Sequence, residues 1–262
     1  MNLDRRIFLG TLGVGALKVM TPEQKADALE HYMIDQLEQP LDAQDRQNRR
    51  QGQQQDPARP PRGTGGLFQP TTRKLEPMPK KPTLQDFFRL RFAPASHVLQ
   101  SATRAMEHDF PEETILACML HDVVLNLIKP NHGQWGGQLL EPYVPAEVAW
   151  GVRYHAPLRF FPDEAVGYEY PDMYNRMFGE DYVPSEITQK EYKFARGHKW
   201  YMHARMVTMN DEYSFDRNKR PTIDPFEDII GRHFRIPEEG LGNDSSPSAH
   251  MWRTIADPTR PL

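Results

Sequence analysis

Apolar residues follow a helical spacing over most of the second half of this chain, and no segment of any length alternates as a strand does. The most apolar run extends from Ile115 to Ile128 and contains the adjacent pair His121-Asp122. An imidazole and a carboxylate are costly to bury unless something compensates them, and a bound metal ion does so well. The pattern therefore predicts an all-α domain with a metal site at this pair.

Signals for the starts and ends of helices divide residues 83–236 into a series of helices. Ser96 is predicted to cap one helix and Asp109 the next, with Pro111 near the first helical position. Pro157 is expected to end the fifth helix, and residues 158–186 are expected to be irregular and aromatic. The predicted helices cover about 87–92, 96–108, 111–128, a short segment from His132, 145–157, 186–209 and 226–234.

Composition changes sharply outside this region. Residues 22–39 have the composition of a modest helix, whereas Pro40 to Pro82 is rich in Gln, Arg, Pro and Gly and is predicted to be a linker or a surface-wrapping segment. The predicted division is a signal segment at 1–20, the helix and linker at 21–82, the helical domain at 83–236, and a loose tail at 237–262. Gly136-Gly137 should let the short helix from His132 pack closely against a neighbour.

Charge and cysteine content narrow the classes of function. The net charge is −4, the isoelectric point is near 6.2, and the basic residues are scattered, which argues against a nucleic-acid partner. Cys118 is the single cysteine, so a disulfide within the chain and a cysteine-based zinc site are both excluded. A metal would be held by histidine and carboxylate, which favours iron, manganese or zinc.

The N-terminus carries Arg5-Arg6 followed by Ile-Phe-Leu and a short apolar segment to Leu17. This resembles a twin-arginine export signal, and we expect a periplasmic protein. The apolar segment is too short to span a membrane, so no integral span is expected. The alternative is a cytoplasmic protein whose amphipathic N-terminal helix carries two arginines.

The candidate ligands of a metal occur in a fixed order along the chain. They are His97, His121, Asp122, His132, His155 and Asp211. Asp181 and Asp216 compete with Asp211 for the last place.

This order, with its local sequence, resembles the HD-domain superfamily, and most closely its mixed-valent diiron oxygenases, such as 2-amino-1-hydroxyethylphosphonate dioxygenase and myo-inositol oxygenase. The resemblance covers residues 84–215. The stretches that carry it are His97–Ala105, Glu112–Asp122, His132–Tyr143, Val148–His155 and Asp211–Ser214.

The resemblance implies an HD-domain helical bundle around a dimetal site, and a non-haem diiron oxygenase that oxidises or cleaves a small substrate. His97, His121 and Asp211 would hold one iron, His132 and His155 the other, and Asp122 would bridge them. The implied cofactors are two iron ions as an Fe(II)/Fe(III) pair, with O2 as cosubstrate. A ferric ion would bind a substrate hydroxyl, and hydrogen would be taken from the adjacent C–H bond.

Residues around the ligands differ from the phosphonate oxygenase. Phe87 and Leu90 stand where that enzyme has a gating Tyr and Glu, Leu125 replaces a substrate-binding His, and Thr208 replaces an Arg. Arg159 replaces a Lys and preserves a cation for an anionic group, so we assign it a catalytic role beside Asp122. A small hydroxylated or anionic substrate is therefore expected.

Two other functions remain open from the sequence. A metal-dependent phosphohydrolase of the wider HD superfamily would use the same ligands with a bridging hydroxide as nucleophile. A non-enzymatic, metal-stabilised binding module would use residues 40–82 as its partner-binding arm.

Overall fold

The computed structural model describes residues 5–12, 20–21, 23–34, 36–37, 75–92, 95–125, 127–178 and 183–258. Within these ranges the chain is helical, and its β-structure amounts to an isolated bridge between Asp163 and Tyr168. The prediction of an all-α protein is therefore confirmed.

The described helices are named α1 to α12 in chain order. They are α1 (Arg5–Leu12), α2 (23–34), α3 (Leu84–Leu90), α4 (Ala95–Glu107), α5 (Glu112–Leu120), α6 (His132–Leu140), α7 (Ala146–Leu158), α8 (Asp172–Phe178), α9 (Glu186–Arg196), α10 (Tyr201–Glu212), α11 (Glu227–His233) and α12 (Ala249–Ala256). Two 3-10 turns lie at Glu164–Val166 and Asp224–Phe226.

Helix α5 is the centre of the bundle. Every residue from Thr114 to Leu120 is buried, because α4, α7, α10 and α11 all pack against this helix. A helix that is enclosed on all sides is apolar all round, which explains the long apolar run in the sequence.

Helices α6 and α7 approach each other closely through glycine. A Cβ atom on Gly137 would lie 2.9 Å from the Cβ of Arg153, and one on Gly133 would lie 3.0 Å from the carbonyl oxygen of Val152. Neither distance leaves room for a side chain. The predicted close packing is confirmed, and it brings His132 at the start of α6 against His155 on α7.

Several predicted helix ends are wrong. Helix α5 stops at Leu120, so His121 and Asp122 lie in the turn that follows it rather than inside the helix. Asp109 does not cap α5: it adopts a left-handed φ of 55°, and Pro111 is the N-cap residue. Ser96 is the second residue of α4 and not its cap.

Three further boundaries differ from the prediction. The expected long helix at 186–209 is two helices, α9 and α10, separated by a turn at 197–200 that begins with a helix-weakening glycine. Pro157 lies inside the last turn of α7 instead of ending it. The segment expected to be irregular contains α8.

The C-terminal tail is not loose, contrary to the prediction. Trp252 on α12 is fully buried and contacts Phe87 edge-on, with ring centroids 4.7 Å apart. The backbone N–H of Leu241 donates to the carbonyl of Pro82 over 2.9 Å. A few apolar residues in a polar stretch are therefore enough to dock this segment on the core.

The N-terminal helices also pack on the domain. Phe8 of α1 and Leu29 and Met33 of α2 are buried in a second apolar cluster with Phe160 and Tyr174. Residues 40–74 of the predicted linker, and residues 1–4 and 13–19 of the predicted signal, lie outside the described residues. No helix among the described residues combines the length and apolar character that a membrane crossing requires.

Candidate metal centre

The structure brings all six predicted ligands together in one buried cluster. His97 lies in the first turn of α4, His121 and Asp122 follow α5, His132 begins α6, His155 lies near the end of α7, and Asp211 lies near the end of α10. Each is at most 2% exposed. The rival Asp216 is exposed at the surface, and the other rival, Asp181, lies outside the described residues.

The first half of the cluster is built from His97, His121 and Asp211. The Nε2 atoms of the two histidines are 3.2 Å apart, and Asp211 Oδ1 lies 3.0 Å from His97 Nε2 and 3.6 Å from His121 Nε2. Asp122 Oδ2 faces the same point, 3.6 Å from His97 Nε2 and 3.5 Å from His121 Nε2. Two nitrogens and two carboxylate oxygens thus converge.

The second half is built from His132 and His155. Their Nε2 atoms are also 3.2 Å apart. The other oxygen of Asp122, Oδ1, lies 3.2 Å from His132 Nε2 and 3.9 Å from His155 Nε2. Asp122 therefore directs one oxygen to each histidine pair.

The histidine rings are oriented through their Nδ1 atoms, each of which contacts a backbone carbonyl. His97 Nδ1 lies 3.1 Å from the oxygen of Ser214, His121 Nδ1 2.7 Å from Cys118, His132 Nδ1 3.2 Å from Lys129, and His155 Nδ1 2.6 Å from Val152. A carbonyl only accepts, so in the neutral ring Nδ1 carries the proton and Nε2 presents a lone pair. This is the tautomer that ligates a metal through Nε2.

The arrangement fits a cation on chemical grounds. Two bare Nε2 atoms at 3.2 Å repel each other, and neither can donate a hydrogen bond to the other. Both oxygens of Asp122 are buried and have no hydrogen-bond donor among the described residues. A metal ion would satisfy these lone pairs, so the buried histidine and carboxylate clusters can hold one.

Burial sets the charge of the second histidine pair and of Asp122. It lowers the pKa of His132 to about 4 and the pKa of His155 well below its ordinary value, so both stay neutral and ready to ligate. It raises the pKa of Asp122 well above the ordinary value, and the charge of Glu30 adds to this effect. A bound cation would oppose this rise and favour the carboxylate.

The pKa of Asp211 shifts in the opposite direction to that of Asp122. Burial alone raises its pKa, but the neighbouring imidazoles of His121 and His97 outweigh burial and lower the pKa well below the ordinary value. Asp211 is therefore the fixed negative charge of the cluster.

Two acidic residues that the sequence did not reveal also reach this cluster. Glu30 offers a carboxylate oxygen within 4.8 Å of ligand atoms of His97, His121 and Asp122, and Asp27 and Glu30 form a similar group with His132. Both acids lie on α2 and are about 5% exposed. Their spacing of three residues places them on one helix face, but such a pair is usually part of a solvated surface.

Arg159 lies beside the centre but is already paired. Its Nη1 donates to Glu30 Oε2 over 2.9 Å, its Nη2 donates to Asp27, and the residue is 1% exposed. Its contact with a substrate stays a prediction, and that contact would require the acids to move.

Other residues singled out in the sequence lie elsewhere. Phe87 belongs to the core, against Trp252. The hydroxyl of Thr208 contacts the carbonyl oxygen of His155 over 2.7 Å, which helps to fix that ligand's backbone. Two further histidines on or near α10 also lie apart: His203 contacts Thr114 and His198 stacks on Trp150, so neither joins the cluster.

A small cavity borders the first half of the centre. Its volume of about 10 Å³ suits one water molecule, and Glu30, Tyr174, Asp211 and Glu212 are among the residues that line it. Tyr174 Oη donates to Glu212 Oε1 over 2.7 Å. Burial and the charge of Asp211 raise the pKa of Glu212 to about 8, so Glu212 is mostly protonated at neutral pH.

Comparison of the chain with models of known protein families and with curated proteins gives no match.

Proposed function

We propose that this protein is an HD-type, non-haem diiron oxygenase that acts on a small hydroxylated or anionic substrate with O2. The observation that carries the proposal is Asp122, whose two oxygens face different pairs of histidine Nε2 atoms, those of His97 and His121 and those of His132 and His155. A carboxylate in that position can bridge two metal ions at the separation of roughly 3.5–4 Å found in two-metal sites.

The two halves of the centre would hold different metal ions. His97, His121 and Asp211 would hold one iron, His132 and His155 the other, and Asp122 would join both. When bound, an Fe(II)/Fe(III) pair supplies the coordination positions and the redox chemistry that O2 requires. The second ion has fewer protein ligands than the first, which leaves open positions for small molecules.

The surroundings favour a metal with nitrogen and oxygen ligands over a thiolate-bound metal. Cys118 is buried, and burial raises its pKa to about 12, so it stays a thiol and packs as an apolar residue. The enclosure of the ligands protects the reaction from bulk water.

Substrate recognition is proposed to use Arg159 and the aromatic segment around it. Arg159 is the buried cation nearest to Asp27 and Glu30, and it can bind a carboxylate or phosphonate through two nitrogens. Tyr168 donates its hydroxyl to the backbone carbonyl of Arg159 over 2.9 Å and so fixes the start of this segment.

The test is anaerobic purification from iron-supplemented cells, followed by metal analysis, electron paramagnetic resonance and O2 uptake. We expect about two iron ions per chain and, after partial oxidation, a coupled Fe(II)/Fe(III) signal that changes with hydroxylated acids. Zinc or manganese with phosphoesterase activity and no O2 uptake would instead establish the phosphohydrolase. Metal without either activity would favour the binding module.

A further inference from the structure

We propose that Glu30 is an additional ligand of the metal centre, so that a bound metal holds helix α2 against the site. This inference rests on the proposed metal centre but not on the proposed oxygenase reaction.

The position of Glu30 is that of a ligand. One of its carboxylate oxygens lies within 4.8 Å of ligand atoms from His97, His121 and Asp122, which are themselves at most 3.6 Å apart. Its side chain is 6% exposed and reaches the cluster from a helix outside the bundle of α4 to α10. Glu30 would therefore complete the first half from the side on which α2 packs.

The charge balance also points to a cation at this place. Glu30, Asp27, Asp122 and Asp211 bring four carboxyl groups into one buried region, where Arg159 pairs with two of them, Asp27 and Glu30. One guanidinium cannot compensate four carboxylates, and ionised carboxylates that are buried without a partner are expensive. Divalent ions at the histidine pairs would compensate these carboxylates and hold α2 in place.

Asp27 has a different role from Glu30. Its carboxylate pairs with Arg159 Nη2, while Glu30 accepts from Nη1 of the same guanidinium. Arg159 thus links the two acids at a fixed separation, and Asp27 acts as a positioning residue for Glu30.

A third acid on α2 provides a matched control. Glu23 Oε1 accepts hydrogen bonds from the backbone N–H of Ser185 over 2.8 Å and from Thr188 Oγ1 over 2.6 Å. It therefore fastens the start of α2 to the first turn of α9 and does not belong to the metal clusters. Glu23→Gln removes the same charge as Glu30→Gln and keeps an oxygen that can accept these bonds.

The experiment uses the full chain with Zn²⁺, so that no redox chemistry is involved. Zn²⁺ affinity and stoichiometry are measured by competition with a chromogenic chelator, and amide hydrogen exchange of residues 23–34 is followed with and without the ion. In the wild-type protein, Zn²⁺ should slow this exchange at least about tenfold, because the bound ion stabilises α2 in its docked position. Glu30→Gln should bind Zn²⁺ about tenfold or more weakly and lose the slowing, whereas Glu23→Gln should keep both.

Each possible result either supports or overturns the assignment of Glu30 as a metal ligand. Wild-type affinity and slowing in Glu30→Gln, or equal losses in Glu23→Gln, would overturn the assignment of Glu30 as a ligand. Should Glu30→Gln fail to fold, the wild-type comparison decides alone, and unchanged exchange of 23–34 on Zn²⁺ binding would overturn the proposal. If wild type binds no Zn²⁺ at all, the metal centre itself is refuted.

Discussion

His132→Ala tests the second half of the proposed dimetal centre. The substitution removes the Nε2 that lies 3.2 Å from both His155 Nε2 and Asp122 Oδ1. That half then keeps His155 and one oxygen of Asp122, whereas the first half keeps His97, His121, Asp211 and the other oxygen. Metal content should fall from two ions to one per chain.

The expected size of the loss follows from ligand energetics. A structural site with four ligands binds Zn²⁺ with roughly 10–16 kcal/mol, or roughly 2.5–4 kcal/mol per ligand. Loss of one ligand should therefore weaken the second site on the order of 10²–10³-fold. The first site should change little, since His132 Nε2 is separated from it by the carboxyl group of Asp122.

Equilibrium dialysis against graded Zn²⁺, with metal analysis of the protein, measures both sites. His203→Ala is the matched control, because His203 contacts Thr114 and lies outside the metal clusters. It should bind two ions with wild-type affinity. Two ions bound with wild-type affinity in His132→Ala would refute the assignment of this residue.

Three further predictions concern the fold. Gly137→Ala should lower the free energy of unfolding by about 1–3 kcal/mol, because its Cβ would lie 2.9 Å from that of Arg153. As a control, Gly231→Ala, where the added Cβ meets open space, should raise the free energy of unfolding by up to about 1 kcal/mol. Equal effects of the two substitutions in urea unfolding would contradict the close packing of α6 on α7. Trp252→Ala should cost about 3–5 kcal/mol in the same assay, because its side chain is fully buried; a cost as small as that of the exposed His250→Ala would mean that the tail does not dock. The Cys118 thiol, whose pKa burial raises to about 12, should resist a disulfide reagent at pH 8 until the protein is unfolded, and rapid labelling of native protein would show that it is accessible.

The clustering of the six candidate ligands could be predicted because each of these residues belongs to a local pattern. His132 follows a Pro-Asn break, and His121-Asp122 stands in an apolar run that only a buried helix explains. These patterns span only a few residues, so they identify the candidate residues even where the predicted helix ends are wrong. The end of α5 is an example: His121 and Asp122 reach the cluster from the turn after α5, although the sequence predicted them inside the helix.

Glu30 and Asp27 could not be predicted, because their role depends on long-range packing. An acidic pair three residues apart is typical of a solvated helix face, and α2 lies more than sixty residues before His97 in the chain. The docking of α12 was missed for the same reason. Trp252 is an isolated aromatic residue in a polar segment, and only its place against Phe87 reveals that it belongs to the core.

The most direct test of the central claim is a crystal structure of the protein loaded anaerobically with iron, with anomalous scattering measured at the iron edge. We expect two peaks about 3.5–4 Å apart, one on each side of the Asp122 carboxylate, with His97 and His121 at one peak and His132 and His155 at the other. A single peak, or iron bound away from Asp122, would contradict the account.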